Sequence, residues 1–251
     1  MKKEGVVIFD LDDTLVEKEG IFVNAQKAML QSLANCDSEI DPDKHFDILR
    51  EIDHEIVCLH KGNHSYKSWR LAEALWLHLH EGEDALESAA LAFQMSKANI
   101  SNVHILEAGK QYDKILKENV PKLRDDAWEI LAKLKKKYVL VLFSSWEKKP
   151  QQKIIVHLGL DKVFDAIVIH RNKNVKSMLE AKRIGEDVLR KISGKPKRMV
   201  MVGDRMSQDI IPAMKIGLET IWIPGPYYPG KREEGPPDHE ISDLRELLNI
   251  L

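Results

Sequence analysis

Cysteine is scarce in this chain. Cys36 and Cys58 are the only two among 251 residues, and they stand in no CxxC spacing. Such a pair excludes a disulfide framework. Long apolar runs are missing as well, so no segment is expected to span a bilayer. The N-terminus reads as passing straight into a strand, and no secretory leader is expected. These absences predict a cytoplasmic protein with no membrane partner. Nor is there an excess of one charge: 38 Lys and Arg face 40 Asp and Glu, a formal net charge of −2. That balance offers no electrostatic footprint for a nucleic-acid partner. The densest basic cluster, Lys133, Lys135, Lys136 and Lys137, precedes a strand and reads as a solvated helix end. Internal repeats are absent. What remains is globular, 43% hydrophobic and 31% charged, and long enough for a core domain plus an insertion.

Short apolar runs at Gly5–Phe9, Tyr138–Phe143, Ala166–His170, Met199–Val202 and Thr220–Ile223 read as buried strands. Helical patterns separate the last four, at Asp125–Lys137, Pro150–Leu158, Ser177–Ile192 and Asp209–Ile216. This alternation predicts an α/β fold, a doubly wound parallel five-stranded sheet of Rossmann-like type. Between the first two strands no strand signal occurs. Ile21–Leu33, Pro42–His60, Tyr66–His80, Ala85–Asn99 and Val103–Glu118 read as helices instead. We therefore expect a core domain of residues 1–20 and 121–251, with an all-helical inserted domain at 21–120. A Pro/Gly-rich loop, Pro224–Pro237, and a short amphipathic helix, Ser242–Leu251, close the chain.

The first strand runs into three carboxylates, Asp10, Asp12 and Asp13. Like charges so close repel and resist burial, so a positive partner is required if they are to be sealed in. In parallel sheets, sites form where strand C-termini open into loops. Those ends carry Asp10 and Asp12, then Ser144 and Ser145, then Asp204 with Asp209 five residues on. Hard oxygen ligands of this kind select Mg²⁺, which shares its coordination sphere with phosphate. An EF-hand reading from Asp10 fails, because the sixth position is Leu15 rather than Gly and the twelfth is Ile21 rather than Glu. His54, His60 and His64 match no common zinc spacing and read as helix-surface residues. Trp69 and Trp76 read as core of the inserted domain.

FDLDDTL (Phe9–Leu15), LFSS (Leu142–Ser145) and VGDRMSQD (Val202–Asp209), with the later AMKIGLETIWIP (Ala213–Pro224), resemble the haloacid dehalogenase superfamily, in the family's order. The insertion lies where that superfamily places a helical C1-type cap. The resemblance implies a phosphoric monoester hydrolase that uses Mg²⁺ and passes through an aspartyl-phosphate. Asp10 would be the nucleophile and first metal ligand, and Asp12 the general acid and base that also offers its backbone carbonyl to the metal. Asp13 would point away, as an exposed or capping carboxylate. Asp204 would be a metal-binding acid, and Asp209 either a further ligand or an orienter of Asp204. The phosphate-binding set would comprise Thr14, Ser144, Ser145 and a lysine.

That lysine is where the sequence departs from the superfamily pattern, since NKNVKSMLEAKR (Asn172–Arg183) lacks the proline that often follows it. Lys176, just ahead of the predicted helix, is the expected residue, with Lys173 and Lys182 as rivals. The substrate implied is a small phosphorylated metabolite, and the chain is expected to act as a monomer or small homo-oligomer. A phosphomutase keeps both leading acids and stays open as an alternative. A dehalogenase of this superfamily lacks the second acid, so Asp12 counts against it.

Overall fold

The computed structural model describes residues 2–60, 66–96, 102–225 and 235–251. The chain forms two compact units, one of Met1–Glu19 with Pro121–Leu251 and one of Gly20–Val120. His64, Asn99 and much of the Pro224–Pro237 loop lie outside the described residues.

The unit at Gly20–Val120 is helical: α1 (Glu19–Ala34), α2 (Phe46–Leu59), α3 (Trp69–Glu81), α4 (Ala85–Gln94) and α5 (Val103–Glu118). Each turns one apolar stripe inward, as Phe22, Ala25, Met29, Leu30 and Leu33 do on α1. These stripes meet in one cluster with Leu49, Ile52, Leu71, Leu75 and Ile105, and Trp69 and Trp76 pack against it. Asp84 caps α4, accepting from the Glu87 amide at 2.8 Å. One buried carboxylate, Asp53, is held inside by the Gln26 amide at 2.7 Å and by the Tyr66 hydroxyl.

The other unit holds β1 (Gly5–Phe9), β2 (Val16–Glu17), β3 (Lys122–Leu123), β4 (Tyr138–Ser145), β5 (Ala166–His170), β6 (Arg198–Gly203), β7 (Glu219–Trp222) and β8 (His239–Glu240). Its helices are α6 (Ala127–Lys137), α7 (Lys148–His157), α8 (Val175–Ile192), α9 (Ile211–Met214) and α10 (Leu247–Ile250). A parallel sheet forms in the order β5-β4-β1-β6-β7-β8. Five strands were expected, and the sixth is the two-residue β8 at the edge, too short to leave a periodic signal. The central strand β1 is sealed on both faces. Val7 and Phe9 face Ala127, Ile130, Leu131 and Leu134 of α6, while Val6 and Ile8 face Met178, Ala181 and Leu189 of α8. Alternation of side chains across the pleat produces this division.

Two small antiparallel strands, β2 and β3, pair Val16 with Leu123 and Glu17 with Lys122. They join the two passages of chain that flank the helical insertion. The Arg124 guanidinium reaches back to the Asp13 carbonyl at 2.7 Å, which pins the loop that follows β1. No helix among the described residues is long and apolar enough to cross a membrane.

Candidate active site

The C-terminal ends of β1, β4 and β6 set the site, as expected of a parallel sheet. Asp10 prolongs β1 by one ladder bond, its amide donating to the Val202 carbonyl at 2.9 Å. Its carboxylate is buried. One oxygen, Oδ1, accepts from the Lys173 ammonium, and the other, Oδ2, has no hydrogen-bond partner among the described residues. Lys173 Nζ also donates to Asp209 Oδ1 at 2.7 Å. One lysine thus bridges two acids that the chain supplies 36 residues to one side of it and 163 to the other.

Asp204 and Asp209 follow β6. Each offers a carboxylate oxygen that, with one from Asp10, forms a group lying within 4.8 Å of one another. Gly203 permits this approach, since a Cβ there would come within 2.5 Å of the Asp209 Cβ. Gly225 does the same for Asp204, whose Oδ2 a Cβ would meet at 2.6 Å. Asp209 further ties the turn by accepting from the Arg205 amide at 3.1 Å. The Asp204 carbonyl accepts from the Trp222 indole at 2.6 Å.

Burial pushes the Asp10 carboxyl up to about 7 against the pull of Lys173, and Asp209 and Asp12 push the same way. Burial likewise drives Asp204 well above the carboxylate range, with Asp10 adding to the effect. Burial opposes the charge on Lys173, yet Asp10 and Asp209 hold its ammonium above the usual lysine range. The Arg205 guanidinium stands 3.9 Å from Asp204 Oδ2. Three buried carboxylates gather within reach of one another, and burial resists their charge, so a divalent cation with hard oxygen preference fits them as the partner that would favour their ionised forms. Asp10, with its Oδ2 lacking a partner among the described residues, Asp204 and Asp209 would supply its donors.

A second group forms beside the first. Asp12 Oδ2 accepts from Gln151 Nε2 at 3.1 Å and pairs with Lys18 Nζ at 2.9 Å, while its Oδ1 is buried and without a partner among the described residues. Gln151 Nε2 also donates to Ser144 Oγ at 2.6 Å. Ser144 is fully buried on β4, and Ser145 stands half-buried at its end. Lys18 lies over the Trp146 ring, 4.6 Å from its centroid. Thr14 is fully buried, its hydroxyl likewise without a partner among the described residues. Asp13 is buried rather than exposed. It takes the left-handed backbone at φ 61° and caps the loop by accepting from the Lys18 amide at 3.0 Å.

The expected cation was Lys176, and here the structure corrects the register. Asn174 forms a capping box with Ser177, so α8 begins at Val175 rather than Ser177. Lys176 consequently falls in the first turn and is exposed, and Lys173 becomes the lysine ahead of the helix. Lys182 donates to the Ile216 carbonyl at 3.0 Å instead. The Asp12 carboxylate does not join the gathered acids. His54 and His60 belong to no group of ligands that could hold a metal among the described residues. Sequence reading missed Lys18 and Gln151. For Gln151 a signal existed: it shares the buried face of α7 with Ile155, where an apolar residue is expected.

Residues 5–217 match a family model described as a haloacid dehalogenase-like hydrolase. A glyceraldehyde 3-phosphate phosphatase of Pyrococcus furiosus is 26% identical over 254 residues, covering 100% of this chain and 94% of its own. The mouse N-acylneuraminate-9-phosphatase is 25% identical, covering 98% of this chain and 92% of its own. In fold, the chain is similar to the magnesium-bound HAD-hydrolase YfnB of Bacillus subtilis. That match has a TM-score of 0.60 at 19% identity and covers 100% of this chain and 99% of the other.

Proposed function

The chain belongs to the haloacid dehalogenase-like hydrolases, and from that premise we propose that it is a Mg²⁺-dependent phosphatase acting through a phosphorylated Asp10. Its class, a phosphoric monoester hydrolase, is that of relatives matching nearly its whole length. A small phosphorylated metabolite is the substrate, and glyceraldehyde 3-phosphate is the first candidate, because relatives from several archaea carry that activity in their names. The observation that carries the reading is the buried Asp10 carboxylate, braced by Lys173 against Asp209, with Asp204 beside it.

Asp10, Asp204 and Asp209 would hold Mg²⁺, which when bound offsets the charge of the incoming phosphate. Lys173 keeps the Asp10 carboxylate in place and adds a positive charge where phosphoryl oxygens arrive. The Ser144 hydroxyl donates to one of those oxygens. Asp10 attacks phosphorus, and the bond to the leaving oxygen breaks as Asp12 Oδ1 passes that oxygen a proton. Asp12 then takes a proton from a water, which attacks the acyl-phosphate, releases inorganic phosphate and restores Asp10.

The test is phosphate release from p-nitrophenyl phosphate and from glyceraldehyde 3-phosphate, with Mg²⁺ and then with excess chelator. Release that stops with chelator and returns with Mg²⁺ is expected. No release from any of a broad set of phosphomonoesters would overturn the reading, and release indifferent to chelator would remove the metal from it.

A further inference from the structure

We infer that Gln151 is a positioning residue that aims the general acid and the phosphate-binding hydroxyl with one amide group. Its side chain is fully buried in the first turn of α7. A carboxylate can only accept, so the nitrogen of the amide must be the atom facing Asp12. That nitrogen has two hydrogens, and both are committed: one to Asp12 Oδ2 at 3.1 Å, the other to Ser144 Oγ at 2.6 Å.

Two consequences follow. Ser144 accepts from Gln151, so its own proton must leave in another direction; its one other hydrogen bond among the described residues is a long 3.4 Å donation to the Ser145 carbonyl. The hydroxyl is therefore set to donate to an arriving acceptor. Asp12 has Oδ2 engaged by Gln151 and Lys18, which leaves Oδ1 as the atom that can carry a proton. Gln151 thereby fixes the direction of both groups at once. Its own Oε1 is buried and has no partner among the described residues. A methionine or leucine would fill the same space on the buried face of α7 without that unmet acceptor. An amide kept there despite it points to a role for its N–H groups.

This inference rests on the phosphatase reading and adds to it, and leaving-group chemistry separates the two. p-Nitrophenolate departs without a proton, whereas an alkoxide requires one from Asp12. Gln151→Met keeps the volume of the side chain and removes both donors. Measured on p-nitrophenyl phosphate and on glycerol phosphate, the variant should lose about tenfold to a hundredfold more kcat/KM on the alkyl ester than on the aryl ester. Far-UV circular dichroism should stay that of the wild type. If Gln151→Met does not fold, Gln151→Ala is read by the same ratio. An equal fractional loss on both esters, or no loss, overturns the positioning role. A wild-type protein inactive on both esters with Mg²⁺ would instead sink the phosphatase reading.

Discussion

Lys173 and Asp10, 163 residues apart in the chain, meet in an ion pair whose side chains are 2% and 5% exposed. Such a pair is costly to desolvate and becomes tolerable only with further partners. Asp209 provides one for Lys173. Asp10 keeps one oxygen without a partner among the described residues, so the pair is satisfied on the lysine side and open on the acid side.

The first prediction concerns which lysine matters. Lys173→Met should lower kcat/KM by about 10²-fold or more, as expected for loss of a buried charge-stabilising donor. Lys176→Ala, on the exposed face of α8, should change it by less than about tenfold. Steady-state kinetics on p-nitrophenyl phosphate decide it. A neutral Lys173→Met beside a damaged Lys176→Ala would return the assignment to Lys176.

Asp10→Asn should abolish turnover with the fold intact, because an amide neither attacks phosphorus nor balances a divalent cation. Beryllium fluoride soaked into crystals should form its adduct on Asp10 in the wild type. An adduct on any other residue, or a variant that retains near-normal rate, would contradict the nucleophile role.

The strands and the acids were legible in the sequence, and the long-range contacts were not. Continuous apolar runs mark β1, β4 and β6 because both faces of the sheet are covered, and Asp10, Ser144 and Asp204 are read directly from their ends. β2, β3 and β8 escaped because two residues cannot display a period. The division of the chain was read at residues 20 and 21 from the switch between strand and helix patterns, and contacts place it at Glu19 and Gly20. Lys176 lies just ahead of a helix that apolar periodicity starts at Ser177, but the Asn174–Ser177 capping box starts it two residues earlier and leaves Lys173 in that place. Lys18 reaches Asp12 across a turn shaped by Asp13 at positive φ, which no linear spacing announces.

A third prediction addresses the helical unit and pH. Glu73 on α3 is buried, its Oε2 has no partner among the described residues, and burial, with Glu81 nearby, raises its carboxyl above the usual value. A raised folded value means the stability tied to the proton is fully present below the unfolded pKa and is lost as pH rises through the folded one. Glu73→Gln removes that loss. It should melt at a higher temperature than the wild type at pH 8, with the gap closing near pH 4. Equal melting temperatures at pH 8 would show that Glu73 ionises there without penalty.

The last prediction separates the two steps assigned to Asp12. Gln151 and Lys18 both hold Oδ2, so in Asp12→Asn the amide oxygen takes that place and an NH₂ group occupies the position of Oδ1. An amide nitrogen there can neither give a proton to a leaving oxygen nor take one from water. With p-nitrophenyl phosphate the first step needs no proton, so Asp10 should still become phosphorylated. The second step needs a base to activate water, so it should stall. Rapid-quench sampling should therefore find phospho-enzyme rising toward one equivalent, while kcat falls by about 10²- to 10⁴-fold. Alkyl phosphates, which need the acid in the first step, should give little phospho-enzyme at all. A variant that turns over p-nitrophenyl phosphate at the wild-type rate would remove Asp12 from the chemistry. A slow variant that accumulates no phospho-enzyme would show that the second step is not the one that stalls, and would contradict the base role of Asp12.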